Sequence, residues 1–333
     1  MKRIVSCLGV CLFLSNLALG QVIPGQKVGG SPNIRVVSHL PIRGFVQVAD
    51  VEIEQEPARP FVYVSRMRLL TNEAGFTLVS IKDPAKPRVL YNWQIENSEL
   101  HDQGLGGIGS KYFKLRGRYY YVQSFQFGQS GPNADLGAVV FDVTGLPDTS
   151  KIKEVGRIRV PEWVNGFHNI FAYKHSDGRV LLFAAFAGAG SYAYVYDMEK
   201  FLDGDKQQGL IGRIPVPSDP LTSVYIPGYT RPIRIRGYHD MYVGYDPATH
   251  QDKFYGPGSG GYYVFDVTRP EEPKLLTSIS GAAGIPFGHT FTPDPTGRYA
   301  VAETEYQTAP LRIFDLKPGL EGKVETITRP IGA

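Results

Sequence analysis

Cysteine is almost missing from this chain of 333 residues: Cys7 and Cys11 are its only two. Both fall in an N-terminal segment expected to be removed, which excludes disulfides and thiol chemistry from the mature protein. No stretch keeps a helical period, so bundles and α/β layers are excluded as the main architecture. No apolar run beyond the N-terminal one is long enough to cross a membrane as a helix. The formal charge is only +3, without a basic run or a basic–aromatic stripe, and nucleic acid is not expected as a partner. Nucleophile elbow, phosphate loop and dinucleotide fingerprint are all lacking.

The N-terminal segment reads as a secretory signal over residues 1–20. Lys2 and Arg3 form its charged start, Ile4 to about Leu17 its apolar core, and Ala18-Leu19-Gly20 a small-x-small cleavage site. The residue after the cut is Gln21 rather than cysteine, which argues against a bacterial lipid anchor. Removing Lys2 and Arg3 takes the charge from +3 to +1. The expectation is a soluble secreted or periplasmic protein without a membrane anchor. Residues 21–32 form a Gly/Pro-rich lead-in, and 33–333 a single domain.

What the chain has in abundance is turn formers and aromatics: Gly 38, Pro 25 and 12% Phe, Trp and Tyr. That composition suits many short strands. Two signals recur. Glu99-Leu100-His101-Asp102, Gly166-Phe167-His168-Asn169, Gly237-Tyr238-His239-Asp240 and Phe287-Gly288-His289-Thr290 each open a strand-like run. Gln47-Val48-Ala49-Asp50 is a fifth copy with alanine for histidine. Further along each unit an apolar run closes on an acid at Asp142, Asp197, Asp266 and Asp315, with Ser80 in that place in the first unit. These closing residues are 62, 55, 69 and 49 apart, a spacing of supersecondary repeats.

Each unit reads as four antiparallel strands, and sheets repeated at this length are propeller blades. Five blades are expected, with six or seven left open because the linker 217–236 could hold further strands. The acids before turns are expected to be structural caps. Asp83-Pro84-Ala85-Lys86-Pro87 and Arg269-Pro270-Glu271-Glu272-Pro273 place turns, since proline is excluded from central strands. The outer strand of the fifth unit is expected at Lys323–Thr328. A spare strand is expected over Asn33–Ile42, with the segment near Arg35–Leu40 paired to the last blade.

The run from Gly261 to Leu276 (GYYVFDVTRPEEPKLL) resembles the LVIVD-repeat proteins, with an apolar run, Asp, a Pro-x-x-Pro turn and an outer strand. Gly288-His289-Thr290-Phe291-Thr292-Pro293-Asp294 followed by Gly297-Arg298-Tyr299-Ala300-Val301 is similar to the choice-of-anchor B branch of exported propellers. The resemblance covers about residues 44–330 and is sharp in the first and fourth units. It implies an exported β-propeller and little about chemistry.

Equivalent positions in successive blades lie at one height around a propeller axis. His101, His168, His239 and His289 are therefore expected to converge at one rim of the central channel. Converging neutral imidazoles are ligands for Fe, Mn, Zn or Cu, and four with a gap at Ala49 leave room for water or substrate. The histidines stay constant while their neighbours vary, as ligands would. Structural histidines bonded within each blade are the other reading. Glu99, Glu303 and Glu305 are candidates for carboxylates that orient the imidazoles. Phe127, Phe167, Tyr229 and Tyr238 are candidates for an aromatic wall. Two functions follow: a metal-dependent oxygenase or lyase/hydrolase on a small organic or carbohydrate ligand at the rim, or a non-catalytic propeller binding a protein or glycan. His39, His175 and His250 do not share the repeat position and are expected at the surface.

Overall fold

A computed structural model describes residues 32–42, 47–67, 73–101, 104–127, 131–162, 164–186, 192–217, 223–224, 233–234, 237–306 and 309–333. The expected signal (1–20) and all but the last residue of the lead-in lie outside them. Two units are distinguished, residues 1–39 and 40–333. In the first, residues 34–39 take no regular structure, and the same holds for 40–42. The expected strand over Asn33–Ile42 is therefore not formed.

The second unit is built almost wholly of strands. β1 (Gln47–Ile53), β2 (Phe61–Met67), β3 (Gly75–Ser80) and β4 (Arg88–Gln94) run as an antiparallel meander. So do β5 (Gly104–Leu115), β6 (Arg118–Phe127), β7 (Leu136–Asp142) and β8 (Lys153–Arg159). The two meanders are joined into one sheet by the pair Met67↔Gly106. β9 (Phe167–Lys174), β10 (Val180–Phe186), β11 (Tyr192–Asp197) and β12 (Leu210–Pro215) form the next sheet. In the linker, β13 (Ser223–Val224) and β14 (Ile233–Arg234) make a two-residue ladder. β15 (Tyr242–Asp246), β16 (Gln251–Gly258), β17 (Gly261–Asp266) and β18 (Lys274–Ser280) repeat the meander. The last sheet is β19 (Thr290–Pro293), β20 (Tyr299–Glu303) and β21 (Arg312–Asp315).

The C-terminus differs from expectation. β22 (Thr326–Ile327) does not join the last sheet but pairs in parallel with β18, through Ser278↔Thr326 and Ile279↔Ile327. The free edge of β21 is taken instead by the final residues. Ile313 N–H donates to Gly332 O and Ile331 N–H to Ile313 O, each at 2.8 Å. An edge strand carries a row of unpaired amides, and the nearest free backbone fills it.

Strand alternation explains the core. In the fourth meander, Phe254, Tyr263 and Phe265 face the sheet before, packing with Leu181, Phe183 and Ile214. Their neighbours Tyr255, Tyr262 and Val264 face the sheet after, packing with Phe291, Ala300 and Phe314. The second and third meanders share a core of the same kind, as do the first and second. Each fully buried side chain of this size is worth about 1.5–3 kcal/mol, so these inter-sheet layers are the main stabilising term. On the far face of the last sheet the paired Val301 and Ile313 stay exposed.

The closing acids do what their recurrence predicts. Asp142 Oδ1 accepts Thr144 N–H, Asp197 Oδ1 accepts Glu199 N–H and Asp266 Oδ1 accepts Thr268 N–H, each at 2.9 Å. Asp315 Oδ1 accepts Lys317 N–H at 3.0 Å, and Ser80 Oγ accepts Lys82 N–H at 3.4 Å. Asp197 also caps a short helix, α1 (Met198–Leu202), and a second, α2 (Lys317–Leu320), follows Asp315.

Candidate metal centre

Three of the four repeat histidines meet. Each sits where the chain enters the innermost strand of its sheet: His168 in β9, His239 ahead of β15 and His289 ahead of β19. The entries are tight because glycine permits close backbone approach. At Gly166, with φ of +66°, a Cβ would lie 2.2 Å from the carbonyl oxygens of both Phe125 and Leu136. At Gly288 it would lie 2.5 Å from Gly261 O. The backbone N–H of His239 donates to Pro257 O and that of His289 to Glu303 O, both at 2.9 Å, which sets the height of each ring.

His168 Nε2 lies 2.9 Å from His239 Nε2. The rings of His239 and His289 are 4.0 Å apart between centroids. Glu305 Oε2 stands 3.7 Å from His239 Nε2 and 3.8 Å from His289 Nε2. His239, His289 and Glu305 thus offer three ligand atoms all within 4.8 Å of one another. Both of these imidazoles are 23% exposed and Glu305 54%, so the group opens to solvent on one side.

The far ring nitrogens decide which way the lone pairs point. His168 Nδ1 is 2.6 Å from Gln126 Oε1, an acceptor, so the proton of a neutral ring belongs on Nδ1. His289 Nδ1 likewise donates to Glu303 Oε2 at 2.6 Å, and Thr290 Oγ1 steadies that carboxylate at 3.2 Å. In its neutral form each of these rings therefore presents Nε2 as a lone pair. His239 Nδ1 is buried without a partner among the described residues. Burial, and then the charge of His289, pushes His168 down to about 4. Burial, followed by His168 and His289, pushes His239 down to about 2. Both rings are neutral through the physiological range, the state that binds metals.

His101 is not brought to this group. Its ring is 1% exposed and stacks on Phe127 at 3.9 Å between centroids, with an interplanar angle of 11°. The cause is strand alternation: Gln126 points to His168, and Phe127, one residue on, points to the opposite face of β6. Gly131 closes over the ring, where a Cβ would lie 2.4 Å from His101 Nδ1. Glu99 is exposed in a 3-10 turn over Ser98–Leu100. Of the three expected carboxylates, Glu303 and Glu305 reach the imidazoles. Gln126 was not legible as a partner, because an amide at a strand end carries no signal without its neighbour across the sheet.

Other expectations resolve as follows. Asp102 and Tyr229 lie outside the described residues. Asp240 points away from the histidines and accepts Asn169 Nδ2 at 2.7 Å, tying two innermost segments together. Phe127, Phe167 and Tyr238 are buried core rather than a wall around the group. His39 and His250 are exposed. His175 is not at the surface: it is 2% exposed. Its Nε2 lies 3.1 Å from Val267 O and 3.2 Å from Asp252 Oδ2, and its Nδ1 accepts Asp177 N–H at 3.2 Å. Tyr173 O–H donates to the same Asp252 at 2.5 Å, so this buried network clasps the β9–β10 turn to β16.

No family model matches the chain, and no protein of curated function matches it. The LVIVD and choice-of-anchor B resemblance thus gains no support at family level. Among solved structures the chain is similar to the periplasmic gluconolactonase of Pseudomonas aeruginosa. The identity is 12%, over 78% of this chain and 63% of that one, with a TM-score of 0.51. The chain therefore spans less than two thirds of that protein's length. A candidate 6-phosphogluconolactonase of Bacteroides fragilis is similar at 11% identity, over 85% of this chain and 69% of that one, with a TM-score of 0.50. At such identities the likeness concerns the fold, which is all-β and propeller-like. Among the described residues no helix is long and apolar enough to cross a membrane.

Proposed function

We propose that this chain is an exported propeller metalloenzyme in which His168, His239 and His289 bind one divalent ion through Nε2. Glu305 supplies an oxygen ligand, and Gln126 and Glu303 hold two of the rings from behind. The observation that carries this reading is the set of ligand atoms of His239, His289 and Glu305 within 4.8 Å of one another, with His168 Nε2 2.9 Å from His239 Nε2 and His168 and His289 hydrogen-bonded on their other nitrogen. Imidazoles with a carboxylate would suit Fe, Mn, Zn or Cu. Such an ion polarises a carbonyl and makes bound water a nucleophile near neutral pH.

The substrate class is a small organic or carbohydrate molecule, and hydrolysis of a lactone or ester is the first reaction to test. Two propellers of similar fold bear lactonase names, which supports that order of testing and nothing finer. Residues 1–20 are taken as a cleaved signal. Five blades of four strands are the matching architecture, supported by four complete meanders and a fifth whose edge is filled by Ile331 and Gly332.

Elemental analysis of untagged mature protein, followed by lactone hydrolysis and oxygen-uptake assays, tests the proposal. One equivalent of a divalent metal (Fe, Mn, Zn or Cu) is expected in the wild type, and at least a tenfold weaker hold on it in His239→Ala. Hydrolysis without oxygen uptake supports the hydrolase reading; oxygen uptake with substrate turns it to an oxygenase. Wild type that takes up no stoichiometric metal after loading leaves the non-catalytic binding propeller as the reading.

A further inference from the structure

At the other end of the strands that follow His239 and His289, the β15–β16 and β19–β20 turns face each other across a cleft of about 60 Å³. That is room for roughly two waters. Tyr242, Tyr245, Tyr255, Asp246, Asp294 and Gly297 line it. Tyr255 is 3% exposed as a whole residue, and its hydroxyl, which makes no hydrogen bond among the described residues, keeps some contact with solvent. The hydroxyl abuts Gly297, where a Cβ would lie 3.3 Å from Tyr255 Oη. The Tyr242 hydroxyl is also without a hydrogen bond among the described residues, and a Cβ on Gly244 would lie 3.4 Å from it. The two rings are 6.0 Å apart between centroids. Two glycines thus keep open the space beside two phenol hydroxyls that bond nothing in the protein among the described residues.

The carboxylates of the cleft are already engaged. Asp246 Oδ2 pairs with Lys253 Nζ at 2.6 Å. Asp294 accepts Tyr299 N–H at 2.9 Å and Thr296 O–H at 2.7 Å. An organic cation would meet a charge that is largely spent. What remains is a pair of neutral hydroxyls, each able to donate and accept, beside tyrosine and proline surfaces. The matching ligand is neutral, carries adjacent hydroxyls and has C–H faces. We propose that this cleft binds the vicinal-diol edge of a neutral saccharide, at a site separate from the histidines. The volume admits two hydroxyl-bearing carbons, and the rest of the sugar lies outside.

Affinity electrophoresis through gels containing soluble arabinan, xylan, mixed-linkage β-glucan or galactomannan tests this on the full mature protein. At least one polysaccharide is expected to retard the wild type, with at least fivefold weaker binding in Tyr255→Phe and Tyr242→Phe. The hydroxyls make no protein bond, so the melting temperature of Tyr255→Phe should match the wild type. Retardation should survive EDTA, which separates this site from the metal reading. The proposal is overturned if no polysaccharide retards the protein, if both Phe variants bind like wild type, or if EDTA abolishes retardation. Displacement by tetramethylammonium chloride, but not by sodium chloride at the same concentration, overturns it in favour of a cation site.

Discussion

At the scale of single residues, the same amino acid at the same repeat position has two fates. His168, His239 and His289 stand side by side, His168 Nε2 against His239 Nε2 and the His239 ring against that of His289, whereas His101 is a core residue stacked on Phe127. The difference is environment: an imidazole flanked by a hydrogen-bond acceptor and a second imidazole is poised as a ligand, and one stacked on phenylalanine is packing. His101→Ala should therefore leave the metal content unchanged and destabilise the fold by about 2–4 kcal/mol, in line with losing a buried ring. Urea melts together with elemental analysis check it. Loss of metal with unchanged stability would return His101 to the ligand set.

At the scale of elements, each strand-closing acid holds the turn after it, and Asp142 shows how. Burial raises its carboxyl, but hydrogen bonds from Thr144 and Arg118 outweigh that and hold it below 3.8. The sign follows from linkage. Above 3.8 the group is ionised in folded and unfolded chains alike and its contribution is complete. Below 3.8 the unfolded chain takes up the proton first, so stability falls with pH. Asp142→Asn should be less stable than wild type at pH 7 and lose less between pH 4 and pH 3, as read from urea midpoints. An equal loss in both proteins would remove Asp142 from the acid response. His175 acts at the same scale, clasping one turn to the next sheet through Asp252. Its replacement by alanine leaves a buried carboxylate short of a donor and should cost about 2–4 kcal/mol. Exposed His39, changed to glutamine, should shift stability by about 0.5 kcal/mol or less in the same melts.

At the scale of the whole molecule, stability comes from faces shared between successive sheets, and the end of the chain has a part in it. β22 lies along β18, and Ile331 with Gly332 closes the edge of β21. Ending the chain after Arg329 removes both hydrogen bonds to Ile313 and uncovers that edge. A loss of about 1–3 kcal/mol is expected, along with concentration-dependent association through the exposed strand. Calorimetry and light scattering read the two effects. Unaltered melting and a monodisperse truncated protein would show that the edge needs no cover.

The sequence by itself determined the strand-rich architecture, the turns at Pro84 and Pro270, the capping acids and which histidines share a repeat position. Each of these is a local matter of period two, proline geometry or an Asx turn, and local physics is written in consecutive residues. Only the tertiary structure decided that three histidines meet and the fourth does not. Whether a ring faces the group depends on which face of β6 offers an acceptor and which offers an aromatic. The burial of His175 and the role of Gln126 were settled the same way. Their partners, Asp252 and His168, lie 77 and 42 residues away in sequence and are brought within hydrogen-bond reach only when one sheet packs on the next. The C-terminal residues took the outer edge of the last sheet for a related reason. An open row of amides is filled by whichever backbone the fold delivers to it, and no pattern within Ile331-Gly332-Ala333 announces that.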